Sequence, residues 1–448
     1  MRRVLSMGWI TRYLLASMLI SIFTQLAIAQ LALDSSKTLP IDLPTTLRLA
    51  GVNNLDIMLA EQKMETAHAQ SLSANEKYLP TFTPGIFYLQ HNNRLQATNG
   101  DFSFVNKHSI FVGVKGEVSW ELHDAIFQSL SAHQRSNASE FAFDATTNDV
   151  LLQAVSQYFD LLQTKQSERV AEESTELFHK LEQEMDSKVR TGLGSPSDLS
   201  LVRGEHAHAR YVLEQLREQF ALASLRLAST LRLDPAVRLT PMDSQLVELA
   251  LIPKEASPKK LIEKALEQRP DLKSSRALVS AATSEKNSAV WGPLIPSLKA
   301  TAVAGGLGPE FGDLKNSNDI ALTLQWNVGV GGLFDVGGGN FASAQQRTAE
   351  LQLEKVSDQV AIDVLTAYQQ VQSKSTQLQT ARQELNEVQE AVKLAQERQH
   401  TGIGIALEVV QALKSYYAAE KDYVEAMTGY NKAQYALYRA IGEQMLAH

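Results

Sequence analysis

The 448-residue chain has no cysteine, which excludes disulfides, thiolate metal ligands, a cysteine nucleophile and a lipid-modified N-terminal cysteine together. Its fold must be held by packing alone. Long apolar runs are missing beyond the N-terminus: nothing after residue 29 approaches the roughly 18 consecutive apolar residues of a membrane helix, so only a barrel of strands could span a bilayer. Excess charge is lacking too. A net charge of −8 with no basic block gives no footprint for a nucleic-acid partner.

What is present begins with an export signal. Arg2 and Arg3 precede an apolar run from Leu14 to Ile28, and Ala27, Ile28, Ala29 satisfy the small, any, small rule for cleavage before Gln30. Residues 1–29 are therefore expected to be a secretory signal peptide. The arginine pair alone, followed by Val4 and Leu5, gives a twin-arginine signal little support, and the short run argues against an uncleaved anchor.

The chain also repeats itself. Thr191, Gly192, Leu193, Gly194 returns about 210 residues later as Thr401, Gly402, Ile403, Gly404. Asn54, Leu55, Asp56, Ile57 answers to Arg269, Pro270, Asp271, Leu272; Leu79, Pro80, Thr81, Phe82 to Ile295, Pro296, Ser297, Leu298; and Trp120 to Trp326. Periodicity gives each half the order helix, two strands, long helix, tight turn, helix. The first repeat spans 30–233, with a strand hairpin at 80–120 and a turn at 191–197. The second spans 258–448, with a hairpin at 296–328 and a turn at 400–405. The proline-bearing segment 234–257 is a linker, expected as a mid-height belt.

In the second long helix Val371, Leu378, Ala381, Leu385, Val388, Val392 and Ala395 form a heptad-like seam, the pattern of coiled-coil packing. Helices of about 60 residues run roughly 90 Å, too long to cover one globular core. The shorter pairs, about 45–78 with 197–231 and 258–290 with 406–441, match the long helices in summed length, which predicts a rod with both hairpins at one end and both turns at the other.

From Ser109 to Trp120 the even positions are Ile110, Val112, Val114, Gly116, Val118 and Trp120, while Lys115, Glu117 and Ser119 occupy odd ones. Ile320, Leu322, Leu324, Trp326 and Val328 alternate likewise with Asp319, Thr323, Gln325 and Asn327. This pattern fits a half-buried soluble sheet and a membrane strand equally. Counting separates them in one respect. Four strands cannot close a barrel and open edges are not tolerated in lipid, so a membrane reading demands several copies; three give a 12-stranded barrel and an obligate homotrimer. Phe82, Tyr88, Val112, Val114, Trp120, Leu322, Leu324 and Trp326 would then face lipid or its interfaces, with buried core aromatics as the alternative.

Val189 to Val202, "VRTGLGSPSDLSLV", has the look of a phosphate-cradling loop. Lys followed by Ser or Thr is missing after its glycines, a helix rather than a strand precedes it, and Asp198 stands where a phosphate would bind. His206 and His208, two apart on a helix, diverge, so a metal shared by both would need partners from elsewhere; a solvated face is the expectation, and no metal is assigned. His123 and Asp124 are read as marking the step from strand to helix. No set of residues recommends a catalytic site, and no cofactor is implied.

"RPDLKSSRALVSAATSEKNSAVWGPLIPSL", Arg269 to Leu298, "LRLAGVNNLDI", Leu47 to Ile57, and the paired glycine turns followed by acidic helix starts resemble the outer-membrane efflux protein family, the TolC-like channel-tunnels. The resemblance covers essentially the whole mature chain. It implies a mostly helical protein with a membrane β-barrel continued by an α-helical coiled-coil barrel through the periplasm, a passive conduit for efflux or type I secretion. It further implies docking to a periplasmic adaptor, or membrane fusion protein, and an inner-membrane pump of the RND, ABC or MFS type. By the same resemblance Gly192, Gly194, Ser197, Asp198, Gly402, Gly404 and Glu408 form the periplasmic tip and aperture, with Asp198 and Glu408 either lining the lumen or only capping helices. The family's gating tyrosine and arginine positions fall on Gln399 and Gly404, so a latch of that type is not expected. The competing class is a periplasmic coiled-coil adaptor or scaffold without a channel, but adaptors usually carry a single hairpin and this chain has two.

Overall fold

Local chemistry sets where the helices begin and break. The structure, a computed structural model, describes residues 38–243, 246–253, 256–326, 328–329, 332–401 and 403–445, and only the backbone of 119–124. The expected signal peptide, Gln30 and Gly402 lie outside the described residues. After strand β1 (Thr38–Ile41), Asp42 caps helix α1 (Leu43–Asn53) by accepting a 2.9 Å hydrogen bond from the Thr45 amide, and the Thr45 hydroxyl and then this amide hold its carboxyl below the usual carboxylate range. Asn54 is extended and ends α1. Its side chain accepts from the Asp56 amide at 2.8 Å, starting helix α2 (Leu55–Glu76), and donates to the Thr230 carbonyl at 3.1 Å.

Strands β2 (Thr81–Gln96) and β3 (Phe102–Glu121) follow, then the 69-residue helix α3 (Leu122–Arg190) and helix α4 (Pro196–Thr230). Past the short strand β4 (Arg238–Pro241), helix α5 (Pro258–Gln268) stops at Arg269. The following Pro270 disfavours a helical backbone there, and Arg269 is extended, with its buried guanidinium donating to Asp271 at 3.0 Å. Helix α6 (Pro270–Trp291), strands β5 (Ser297–Gly308) and β6 (Lys315–Gln325), helix α7 (Val336–His400) and helix α8 (Ala406–Ala440) complete the chain. The helices expected over 45–78 and 258–290 are thus each two helices, broken at a capping asparagine and at a proline. β6 begins at Lys315 and ends before Trp326, so Trp326 and Val328 lie beyond the strand.

The chain divides into two compact units. Among the described residues, one comprises those within 38–58, 146–267 and 362–445; the other comprises those within 59–145 and 268–361. In the first, Leu151, Tyr158, Leu161, Phe220, Leu227 and Leu239 share a core with Ile41 and Ala50. A two-stranded parallel sheet that periodicity did not announce, β1 on β4, joins this core through Ile41 and Leu239. The linker is stitched to α8: buried Asn431 accepts from the Leu249 amide (3.0 Å) and donates to the Val247 carbonyl (2.9 Å), and buried Gln434 accepts from the Ile252 amide (3.2 Å). These side chains supply the partners a sheet would otherwise give this extended backbone.

Glu420, on α8, has its carboxyl pushed upward first by burial and then by the charge of Glu173. Its Oε2 finds no hydrogen-bond partner among the described residues. An acid whose folded pKa exceeds its unfolded one keeps its proton longer in the folded chain, so stability falls as pH rises from 4.5 towards that raised value. Glu420→Gln is therefore expected to stabilise the fold at pH 7 by about 1 kcal/mol, the scale of an unpartnered buried polar group. The gain should vanish below pH ~4, where both states are protonated. Thermal melts at the two pH values check this; an unchanged or lowered midpoint at pH 7 would contradict it.

Candidate functional site

The first glycine turn is a helix C-cap of the Schellman type. The Leu193 amide donates to the Lys188 carbonyl at 2.9 Å and the Gly192 amide to the Val189 carbonyl at 3.1 Å, with Gly192 at φ +76°. Thr191 closes the end by donating its hydroxyl to the Ser187 and Lys188 carbonyls. Gly194 is required for space: a Cβ there would lie 2.9 Å from the Val189 nitrogen. The second turn has matching geometry. Ile403 donates to the Arg398 carbonyl at 3.0 Å, Thr401 to the Glu397 and Arg398 carbonyls, and a Cβ on Gly404 would lie 2.9 Å from the Gln399 nitrogen.

Both turns sit on one apolar cluster. Phe178, Leu181 and Met185 of α3, Leu199 and Val202 of α4, and Val409, Val410 and Leu413 of α8 pack together, with Val392 and Ala395 of α7 against them. Gln399 is buried in this region, its amide 3.9 Å from the Met185 sulfur. The two hairpin ends therefore lie side by side.

The acids following the turns differ in surroundings. Ser195 caps α4, accepting from the Ser197 amide at 3.2 Å, and Pro196 occupies the first turn. Ser197 is exposed and Asp198 half-buried, and no described side chain pairs with Asp198. Glu408, in the first turn of α8, instead meets Arg398 at 3.4 Å. Sequence reasoning missed Arg398. Its signal was the basic last turn of α7, Arg398 and His400, facing an acidic first turn across a short loop.

In the second unit the strands form an antiparallel sheet in the order β2, β3, β5, β6. Register places Phe82 opposite Gly116, Ile86 opposite Val112 and Tyr88 opposite Ile110; Val114 opposes Ala304, Trp120 opposes Leu298, and Leu322 and Leu324 oppose Ala300 and Leu298. Directly opposed residues share a face, so one face is apolar across all four strands. It is also bare: Phe82, Tyr88, Leu322 and Ile320 are 68%, 60%, 73% and 82% exposed, Val114, Leu324 and Trp326 are exposed, and Val112 is half-buried. The Trp120 side chain lies outside the description.

On the other face Glu117 joins Lys115 and Lys299, each at 2.6 Å. Gly85, Gly113 and Gly305 stand opposite one another on three adjacent strands of that face, and the Phe111 ring lies over the latter two. The outer edges of β2 and β6 pair with no other described strand.

A family model described as outer membrane efflux protein matches residues 261–443. About 90% of the chain also shares its fold with solved outer membrane proteins. It aligns with the Campylobacter jejuni CmeC outer membrane channel at 18% identity and TM-score 0.76, covering 90% of this chain and 86% of that one. The outer membrane protein VceC of Vibrio cholerae gives 14% identity and TM-score 0.76 over 90% and 96%. The open state of the Neisseria gonorrhoeae MtrE outer membrane channel gives 18%, 0.74, 90% and 89%. The second repeat thus matches the outer membrane efflux protein family by sequence, and both repeats share the fold of these solved proteins. A search of curated proteins gave no match. The efflux-protein match takes in β5, β6 and the second glycine turn; the first repeat carries the same long helix, turn and helix, and its turn shares the Leu193-to-Lys188 bond and the threonine cap.

Proposed function

We propose that the chain is the outer-membrane channel of a tripartite efflux or type I secretion system, a passive conduit and not an enzyme. The bare apolar face of the four-stranded sheet carries this reading. Soluble proteins rarely leave so large an apolar surface uncovered, and an outer-membrane strand needs one. Two unpaired edges on the same sheet require neighbours, since lipid offers no hydrogen bonds. Three chains joined edge to edge supply a closed 12-stranded barrel. The helices of both repeats then form the periplasmic tunnel, which the shared fold with solved outer membrane channels supports.

In this assembly the glycine turns form the periplasmic tip, where an adaptor seats and hands cargo from an inner-membrane pump. Gly192, Gly194 and Gly404 shape the turns, and Ser197, Asp198 and Glu408 border the aperture. Three unpaired Asp198 carboxylates favour cations electrostatically, whereas Arg398 offsets each Glu408.

The test is conductance of the purified protein in planar bilayers, with heat-sensitive trimer migration and membrane fractionation alongside. The expected result is a trimeric, cation-preferring pore in which Asp198→Asn lowers the cation-to-anion permeability ratio severalfold and Glu408→Gln lowers it less. A soluble periplasmic monomer would overturn the channel, and an unchanged ratio in Asp198→Asn would reduce that residue to a helix cap.

A further inference from the structure

We infer that His179, Glu182 and His206 form a binding site for a divalent ion of the zinc class that pins α3 to α4. His179 and Glu182 are three residues apart and so share a face of α3; His206 comes from the helix beyond the turn. One ligand atom from each lies within 4.8 Å of the others. The two imidazole rings stand 5.1 Å apart, and His206 Nδ1 is 2.7 Å from Glu182 Oε2. Two neutral imidazoles and a carboxylate are a recurrent zinc set, leaving a fourth position for water. Ligands sharing a tetrahedral zinc at ~2.0–2.1 Å are about 3.3 Å apart, so the widest separation must shrink by up to about 1.5 Å while the 2.7 Å His206–Glu182 pair opens by about 0.6 Å, within reach of side-chain rotation.

The surroundings aim these ligands. Arg203 Nε donates to Glu182 Oε1 at 3.2 Å while its terminal nitrogen reaches Asp186 at 3.1 Å, which turns Oε2 towards His206. Asp186 also holds Arg190 at 2.7 Å. Gln183 Nε2 donates to His179 Nε2 at 2.9 Å, so that nitrogen is an acceptor whose lone pair a metal would take over as the Gln183 amide swings away. Such outer partners fix ring and carboxylate orientation in metal sites. A hydrogen bond between His206 and Glu182 does not by itself account for the second imidazole. His208, by contrast, turns towards Tyr211, with ring centroids 6.5 Å apart.

His179 lies about 18 Å along α3 from Thr191. A bound ion would fasten the first helical hairpin three turns from its tip and resist separation of its two helices.

The full-length protein, purified in detergent without a histidine tag, is titrated with Co2+ as the spectroscopic probe and then with Zn2+ as competitor. The expected result is one ion per protomer with a visible d–d absorption that zinc abolishes. His179→Ala, His206→Ala and Glu182→Gln should each weaken zinc binding at least tenfold. His208→Ala should not, and circular dichroism should show unchanged helicity throughout. Saturating zinc should raise the melting midpoint of the wild type but not of His206→Ala. Failure to bind one ion per protomer, or binding that survives both histidine substitutions, overturns the site; binding without a rise in midpoint overturns the pinning. Conduction plays no part in these readouts, so loss of the channel reading would leave this result untouched.

Discussion

Leu322→Arg is expected to abolish assembly in the outer membrane, whereas Ala321→Arg, one residue away, should be tolerated. Leu322 lies on the bare apolar face opposite Ala300; Ala321 lies on the other face opposite Thr301, which itself opposes Glu117. An arginine on the lipid face costs about 2–4 kcal/mol at the bilayer midplane. Three copies make that roughly 6–12 kcal/mol, comparable to the whole stability of a typical domain. On the opposite face the same side chain reaches water and an acidic neighbour. Trimer bands on unheated gels and the outer-membrane fraction report the outcome. Equal yields of the two variants would show that the apolar face does not meet lipid.

The second large effect belongs to the glycine row. Gly113→Ala places a methyl 2.4 Å from the Ala304 carbonyl oxygen and 2.7 Å from the Gly305 Cα. Overpacking usually costs about 1–3 kcal/mol, and this clash is with backbone, which cannot rotate away, so the upper end or more is expected. Gly116→Ala meets mainly the Phe82 ring, at 3.3 Å, and the ring can swing aside. That variant should lose less than about 1 kcal/mol. Phe111→Ala should not rescue Gly113→Ala, because the backbone contacts remain. Denaturant unfolding of the three variants decides the matter; a mild Gly113→Ala, or full rescue, would mean that the strands separate there with ease.

Periodicity was a good guide where one interaction dominates. The alternation from Ser109 to Trp120 lies within β3, and the heptad seam from Val371 to Ala395 lies within α7. Period two and period 3.6 record which face is apolar, so they persist whatever the partner. The helix breaks at Asn54 and Arg269 were harder to see, because apolar spacing runs on while one capping side chain or one proline decides the backbone. The β1 and β4 pairing was invisible for a different reason: four residues in each strand, 200 apart, carry no period, and their match is made by the core around Ile41 and Leu239. At the glycine turns, spacing pointed to a pair, but the contact of Arg398 with Glu408 depends on how a loop folds back, which spacing does not encode.

The likeness of the two turns has a consequence for symmetry. Both close with an amide bond from the residue before the second glycine to the helix end and with a threonine cap, yet one continues as Gly194, Ser195, Pro196, Ser197, Asp198 and the other as Gly404, Ile405, Ala406, Leu407, Glu408. In the proposed trimer six hairpins of nearly one shape would ring the mouth, alternating between a polar, acidic seat and an apolar one whose acid is neutralised. The shape of that ring approaches sixfold symmetry while its chemistry is only threefold. A partner built from six equal subunits would therefore meet two kinds of seat, and its copies would bind with two affinities.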